Sequence, residues 1–213
     1  MRELLKNLYV VEPSKATALK YISFFVKRKR GNLLFPCFSN QSTITERFAD
    51  LEAMGGIGMQ LLGDSHFRTA HCDEVSEHFG CSLYCSEAER EAVEQKCVHV
   101  TAFPFEHRRL ASDIDVVPTP GHRPGGVCYL VDLPDGSVLF AGDALWFDGK
   151  RWMSFPSSKG RSKLIASFTA LKEIPFDYIT CNTKVQDQQH CLLELKDAAQ
   201  RRRFLDEQIK LIS

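Results

Sequence analysis

The feature that most constrains this chain is a pair of apolar runs that each end in a tight, glycine-rich turn. The first run leads into Thr-Pro-Gly-His-Arg-Pro-Gly-Gly at residues 119–126, which contain His122. The second leads into Ala-Gly-Asp-Ala at residues 141–144, which contain Asp143. Short apolar runs bounded by Gly and Pro are typical of buried strands. Each predicted strand therefore delivers one side chain that can bind a metal to the edge of a sheet.

A third apolar run, residues 57–62, continues through Gly63 into Asp64 and His66. In an extended segment, residues two apart point the same way, so these two side chains are predicted to converge. Together with His122 and Asp143 they form a set of four oxygen and imidazole donors. Such a set suits one Zn²⁺, Mn²⁺ or Fe²⁺ ion with an open position for water.

The charge balance disfavours polyanionic partners. Among 213 residues, Lys plus Arg and Asp plus Glu both number 27, so the formal net charge is zero. The basic run at residues 27–30 is short and ends at Gly31, which favours an exposed hairpin. We therefore predict no nucleic-acid partner and no membrane partner, and expect a small-molecule substrate or ligand. The sequence does not indicate an oligomeric state.

The eight cysteines predict a reducing environment. They are scattered and form no Cys-x-x-Cys pair. Cys81 and Cys85 lie in a predicted strand, without the second pair that a zinc cage requires. We interpret the cysteines as reduced thiols of a cytoplasmic protein. The first residues lack the apolar segment of a signal peptide, and the apolar runs are too short to span a membrane.

Hydrophobic periodicity and turn signals predict a mixture of strands and helices. The predicted strands cover residues 8–12, 21–26, 33–38, 57–62, 82–85, 114–117, 130–133, 138–141 and 176–180, and the predicted helices begin near residues 42, 69, 86, 162 and 192. Turn residues at 30–32 and 134–137 predict hairpins. This order favours a single domain, residues 1–213, in which sheets are covered by helices.

The order and spacing of the three motifs resemble the metallo-β-lactamase fold superfamily, from roughly residue 30 to 185. The matching segments are residues 61–69, 119–126 and 139–146. The resemblance implies an α/β (α+β) fold: a four-layer αβ/βα sandwich of two mixed β-sheets flanked by helices. It also implies a metal-dependent hydrolase.

The first and last motifs depart from the family pattern. The family's first motif reads His-x-His-x-Asp-His. In this chain Asp64 stands at the first His, His66 matches the second, Arg68 replaces the Asp and Thr69 replaces the last His. Asn182 stands where the family's last motif has another His.

These departures imply at most one metal. The first metal position keeps Asp64, His66 and His122, with Asp143 nearby. The second position contains Arg68, whose guanidinium is always protonated and offers only hydrogen-bond donors, so it cannot ligate a metal. The alternative is that no metal binds, and that Asp64, Arg68 and Asp143 form an ion-pair network instead.

Two functional hypotheses follow. The first is a hydrolase with one metal and an unknown substrate, in which Asp143 orients or deprotonates the water and Arg68 binds an anionic substrate or stabilises an oxyanion. The second is a catalytically inactive protein of this fold with a binding or regulatory role. His71, on a predicted helix, is either a replacement ligand or a surface or locally satisfied residue. The aromatic loop at residues 149–160 either walls a cleft or packs in the core.

Overall fold

The computed structural model describes residues 1–11, 19–38, 44–185 and 192–213, with the backbone alone for residues 19–20 and 183–185. The strands are β1 (Arg2–Leu5), β2 (Leu8–Val11), β3 (Leu19–Tyr21), β4 (Ser23–Val26), β5 (Leu33–Phe35), β6 (Met59–Leu61), β7 (Leu83–Ser86), β8 (Val100–Phe103), β9 (Arg108–Ala111), β10 (Ile114–Pro118), β11 (Val127–Leu133), β12 (Gly136–Phe140), β13 (Trp146–Phe147), β14 (Trp152–Met153), β15 (Tyr178–Thr180), β16 (Thr183–Val185) and β17 (Leu192–Glu194). The helices are α1 (Phe48–Ala53), α2 (Ala70–Phe79), α3 (Glu87–Glu94), α4 (Arg161–Leu171) and α5 (Ala198–Ile212).

Two mixed sheets form the centre of the molecule. The first has the order β1-β2-β4-β5-β6-β7-β8, antiparallel up to β5 and parallel from β5 to β8. The second has the order β17-β15-β12-β11-β10-β9, in which β12 and β15 alone run parallel. Both sheets are therefore mixed, as predicted.

Helices cover the outer face of each sheet. Phe24 faces the second sheet, where its ring lies 5.6 Å from that of Phe140, whereas Phe25 points outward and packs in a cluster with Leu51 of α1. On the outer face of the second sheet, Leu139 packs with Phe168 of α4, and α5 joins the same cluster. Because both faces of each sheet are buried, the strands have continuous apolar runs instead of an alternating pattern. The predicted four-layer αβ/βα sandwich is confirmed.

The predicted C-terminal helix is wrong at its start. Leu192–Glu194 forms strand β17, which pairs antiparallel with β15. Helix α5 begins only at Ala198, where the Asp197 carboxylate caps it by accepting from Gln200 N at 2.9 Å. The open edge of β15 offered backbone partners that outweighed helical periodicity. Within the described ranges, no helix has the length and apolar character to cross a membrane.

Two further predictions changed at the edges of elements. The predicted loop at residues 149–160 contains β14, which pairs with β13 as a short hairpin. The predicted helix start at residue 42 lies outside the described residues. From Ile44 the chain forms a 3-10 turn that runs into α1.

Arg28 joins the β4–β5 turn to the loop before β10. Its Nε and Nη2 atoms donate to the two carboxylate oxygens of Asp113 at 2.7 and 2.6 Å. The Arg28 side chain is only 10% exposed. The prediction that the basic run merely decorates an exposed hairpin is therefore wrong for this residue, because its partner comes from 85 positions away in the sequence.

The seven described cysteines are buried and none of them forms a disulfide, and Cys191 lies outside the described residues. Burial raises the pKa of the Cys81 thiol to about 11 and that of Cys128 to about 12. Because the thiolate is the reactive form, these two side chains behave as core residues and not as nucleophiles.

Replacing Asp113 by Ala should lower the free energy of unfolding by about 1–2 kcal/mol, since it leaves a mostly buried guanidinium without its two charged hydrogen bonds. Urea denaturation measures this. Asp115→Ala is the matched control, because it removes the same kind of pair from Arg109, whose side chain is 60% exposed. That loss should stay below about 1 kcal/mol. Equal losses in the two variants would contradict the assignment.

Candidate metal centre

Asp64, His66, His122 and Asp143 meet at one point. Each offers one ligand atom, and the four atoms lie within 4.8 Å of one another. His66 Nδ1 is 2.8 Å from His122 Nε2 and 3.1 Å from Asp143 Oδ2. Asp64 Oδ1 lies 4.0 Å from His66 Nδ1. The structure thus brings together all four residues that the sequence nominated as metal ligands.

Asp64 and His66 converge through a turn and not through an extended segment. A 3-10 turn, Ser65–Phe67, begins directly after Asp64, whose carboxylate accepts a hydrogen bond from His66 N at 2.8 Å. The predicted extended geometry is therefore wrong, although the predicted convergence holds. The Asp64 carboxylate therefore both caps the turn and lies close to the His66 imidazole that the turn presents.

A close approach of two glycines sets Asp64 beside Asp143. A Cβ atom at Gly63 would lie 3.4 Å from the Cα atom of Gly142, which itself has φ +54°. The left-handed backbone at Gly142 favours glycine. The loops that follow β6 and β12 can therefore touch, and the residues that follow the two glycines become neighbours.

His122 is positioned by the segment between β14 and α4. Its Nδ1 atom lies 2.6 Å from the carbonyl oxygen of Phe155. A carbonyl only accepts, so Nδ1 carries the proton and Nε2 directs its lone pair into the cluster. Gly121, with φ +140°, allows this arrangement, because a Cβ there would lie 2.5 Å from Leu164 N of α4. A histidine whose second nitrogen donates to a backbone carbonyl is typical of metal ligands.

The cluster has a deficit of positive charge. Asp64 is 3% exposed. Burial, together with the negative charge of Asp143, raises the pKa of Asp64 to about 6. The hydrogen bond to Asp143 raises the pKa of His66. Two carboxylates and two imidazoles in this arrangement bind either protons or a cation, and the donor set fits a single divalent metal.

Helix α3 ties together the loop that carries His66 and the loop that carries His122. Glu89, 3% exposed, accepts from Ser65 N at 3.1 Å and from Gly125 N at 2.8 Å. Ser86 Oγ donates to Gly125 O at 2.6 Å. The sequence did not reveal this role of Glu89, because Ser86-x-x-Glu89 is the usual capping pattern of a helix start. In the fold, Ser86 makes no side-chain capping bond, and both side chains reach across to another loop.

The three replaced ligand positions do not join the cluster. Arg68 Nη1 donates to Ser65 O, and within the described residues no ion pair links Arg68 to Asp143. The predicted ion-pair network is therefore not formed. Asn182 Nδ2 donates to Ile22 O at 3.1 Å. This bond ties the residue after β15 and Cys181 to the link between β3 and β4. Thr69 precedes α2 as its N-cap residue, without a side-chain capping bond.

His71 also stays out of the cluster. Its Nδ1 atom lies 2.9 Å from Glu74 Oε2, one turn along the same helix. Its ring packs edge-on against Phe38 at 6.0 Å. Of the two interpretations of His71, the structure favours a residue satisfied by local contacts.

A cavity of about 420 Å³ opens beside the cluster. His66 and Asp143 line it together with Arg68 and Lys96. Aromatic rings also line it, from Tyr21, Phe38 and Trp146. The cavity therefore combines an apolar wall, two cationic side chains and two members of the cluster. Such a concave, mixed surface is typical of small-molecule sites.

The aromatic residues after Asp143 have different environments. Trp146 lines the cavity, and its ring lies 6.5 Å from that of Phe155. Trp152 packs edge-on against Phe204 of α5 at 5.6 Å. The loop thus both walls the cleft and contributes to the core, so each alternative from the sequence applies to part of it.

Comparison with protein families and solved structures relates this arrangement to known proteins. Residues 87–181 match the sequence model of the metallo-beta-lactamase superfamily. The match includes His122 and Asp143 and stops short of Asp64 and His66, where the motif differs. No curated protein sequence matches the chain.

Solved structures of metallo-beta-lactamases share the fold. MIM-2 metallo-beta-lactamase is 11% identical, with a TM-score of 0.69 over 98% of this chain and 87% of that one. BJP-1, a subclass B3 metallo-beta-lactamase of Bradyrhizobium japonicum, is 16% identical, with a TM-score of 0.69 over 98% and 90%. A Cronobacter sakazakii metallo-beta-lactamase described by its HARLDQ motif is 17% identical, with a TM-score of 0.63 over 93% and 94%. At these identities the likeness concerns the fold.

Replacing Glu89 by Ala should lower the free energy of unfolding by about 1–3 kcal/mol, because two buried backbone N–H groups lose their acceptor. Chemical denaturation of the variant measures this loss. Glu91→Ala is the control, since Glu91 lies on the same helix with its side chain exposed, and it should change stability by less than about 0.5 kcal/mol. A Glu89 variant as stable as the control would contradict the positioning role.

Proposed function

Because the chain has the metallo-β-lactamase fold, we propose that it is a metal-dependent hydrolase with one divalent ion, Zn²⁺, Mn²⁺ or Fe²⁺. Asp64, His66 and His122 are the proposed ligands, with Asp143 beside them. The observation that carries the proposal is the orientation of His122, whose Nδ1–H faces the Phe155 carbonyl while Nε2 faces the cluster. A ring that served only in packing would have no need of two defined nitrogens.

Each residue around the proposed ion has its own role in hydrolysis. When bound, a divalent ion lowers the pKa of a coordinated water and polarises the bond to be cleaved. Asp143 Oδ2, 3.6 Å from His122 Nε2 and 3.1 Å from His66 Nδ1, orients the water and takes its proton. The Phe155 carbonyl keeps the ring of His122 in its working tautomer. Trp146 and Tyr21 form an aromatic wall of the cavity beside these residues.

The proposed substrate is a small molecule with a negative charge. Arg68 and Lys96 line the same cavity as His66 and Asp143, and both are cationic at neutral pH. A carboxylate or phosphate on the substrate would pair with them while the scissile group reaches the ion. Arg68 additionally stabilises negative charge that develops on the substrate.

The alternative proposal is a catalytically inactive protein with a binding or regulatory role. Arg68, Thr69 and Asn182 stand at three positions where the family has metal ligands, and Asn182 is used to hold Ile22. In that case the cavity would bind an anionic ligand without cleaving it.

We also propose that residues 1–213 act as one domain in a reducing compartment such as the cytoplasm. None of the seven described cysteines forms a disulfide, and oxidising compartments favour disulfides. The zero net charge supports a small-molecule partner and not a nucleic acid.

Elemental analysis should find about one equivalent of Zn, Mn or Fe per chain after expression in medium that contains all three metals. His66→Ala should lose that metal. The loaded protein should cleave a nitrophenyl ester that bears a carboxylate faster than its uncharged analogue. Metal without cleavage would support the alternative role, and absence of metal under these conditions would contradict the hydrolase.

Metal affinity should fall as pH decreases. The pKa of His66 is raised above its usual 6.5 and that of Asp64 is raised to about 6, so both groups are protonated below these values and protons compete with the metal. The affinity should drop about tenfold or more between about pH 7 and about pH 5, and level off at higher pH. Calorimetric titration with Zn²⁺ in two buffers of different ionisation enthalpy counts the protons released. An affinity independent of pH would rule out this ligand set.

A further inference from the structure

A second cavity, of about 760 Å³, lies between the β13–β14 hairpin and helix α5. Its apolar lining consists of Phe147, Trp152, Leu193, Phe204 and Leu211. Leu211 is 58% exposed, a high value for a large aliphatic residue. The volume falls within the usual range for small-molecule sites. Three aromatic rings in the lining favour a flat aromatic ligand, because such rings pack edge-on or offset against one another.

Gln208 supplies the polar group of this cavity. It lines the cavity although its side chain is only 3% exposed, so it belongs to the floor. Its Oε1 atom is closed off from solvent, and neither Oε1 nor the amide nitrogen has a hydrogen-bond partner among the described residues. A ligand hydroxyl group both donates and accepts. It can therefore accept from the amide N–H group, or donate to Oε1 once the amide turns that atom toward the cavity.

The mouth of the cavity is basic. Lys150, Arg151 and Lys210 line it together with the single acid Glu207. Arg151 Nε lies 3.7 Å from Asp148, whereas within the described part of the chain neither lysine takes part in an ion pair. Two ammonium groups at the rim of an apolar cavity attract a carboxylate.

We propose that this cavity is a second ligand site, for an aromatic carboxylic acid that carries a hydroxyl group. The rings occupy the apolar lining, the hydroxyl group pairs with the Gln208 amide, and the carboxylate lies near Lys150 and Lys210. The site is separate from the metal-site cavity, and the two share no lining residue. They lie on either side of β13, since Trp146 lines the metal-site cavity and Phe147 lines the second one.

Calorimetric titration of the full chain with 6-hydroxy-2-naphthoate and with 2-naphthoate tests this assignment. The wild-type protein should bind one equivalent of the hydroxylated acid about three- to tenfold more tightly than the acid without the hydroxyl group. Gln208→Met keeps the volume of the side chain and removes its polar group. This variant should bind the two acids equally, and its melting temperature should be the same or higher, because an unpartnered buried amide has been removed.

Lysine variants test whether the basic rim of the cavity binds the carboxylate. Lys150→Ala combined with Lys210→Ala should weaken both acids about three- to tenfold and reduce the salt dependence of binding. Lys163→Ala, at an exposed position of α4 that lines neither cavity, should leave both affinities unchanged. A preference for the hydroxylated acid that survives Gln208→Met would overturn the proposal. Weaker binding in Lys96→Ala, in the metal-site cavity, than in the double variant would also overturn it, because it would place the acids in that other cavity.

Discussion

The central constraint in this molecule is a buried carboxylate that faces a second carboxylate. Asp64 is almost fully enclosed and lies in the same cluster as Asp143. An unpaired charge in such a place is very unfavourable, so it must be met by a proton, by a protonated imidazole or by a cation. The raised pKa values of Asp64 and His66 correspond to the first two of these, a proton on the carboxylate and a protonated imidazole beside it. A divalent ion would be the third, and the Nε2 lone pair of His122 points into the cluster.

Groups outside the four-residue cluster hold this arrangement in place. Gly63 and Gly142 let two loops touch, Glu89 binds the backbone of two ligand loops, and the Phe155 carbonyl fixes the ring of His122. Each contact joins segments far apart in the chain. Precise donor positions require such support, because loops that carry ligands are otherwise free to move. The two buried sheets supply the rigid frame from which the loops extend.

Arg68 and Asn182, which differ from the family's motifs, belong to the scaffold or to the cavity wall. Arg68 bonds the turn that presents His66 and also lines the cavity, whereas Asn182 holds the segment around Ile22. The Arg68 guanidinium brings positive charge to the cavity wall without any capacity to ligate a metal.

Much of the fold and of the candidate site was predictable from local patterns. Apolar runs that end in Gly and Pro marked strands β6, β10 and β12, and the turns after them contained all four residues of the cluster. Helix α2 was predicted within a residue of its observed start. These features depend on neighbours in the sequence, so periodicity and turn chemistry suffice to find them.

What the sequence by itself determined is the inventory: which strands are buried on both faces, which turns they enter and which donors stand there. Only the tertiary structure decided how these parts are used. It turned the Ser86-x-x-Glu89 signal from a helix cap into a clamp on two loops, paired Arg28 with Asp113 and made a strand of Leu192–Glu194. The physical reason is that a polar group takes the best partner within reach, and folding brings within reach partners that are more than eighty residues away.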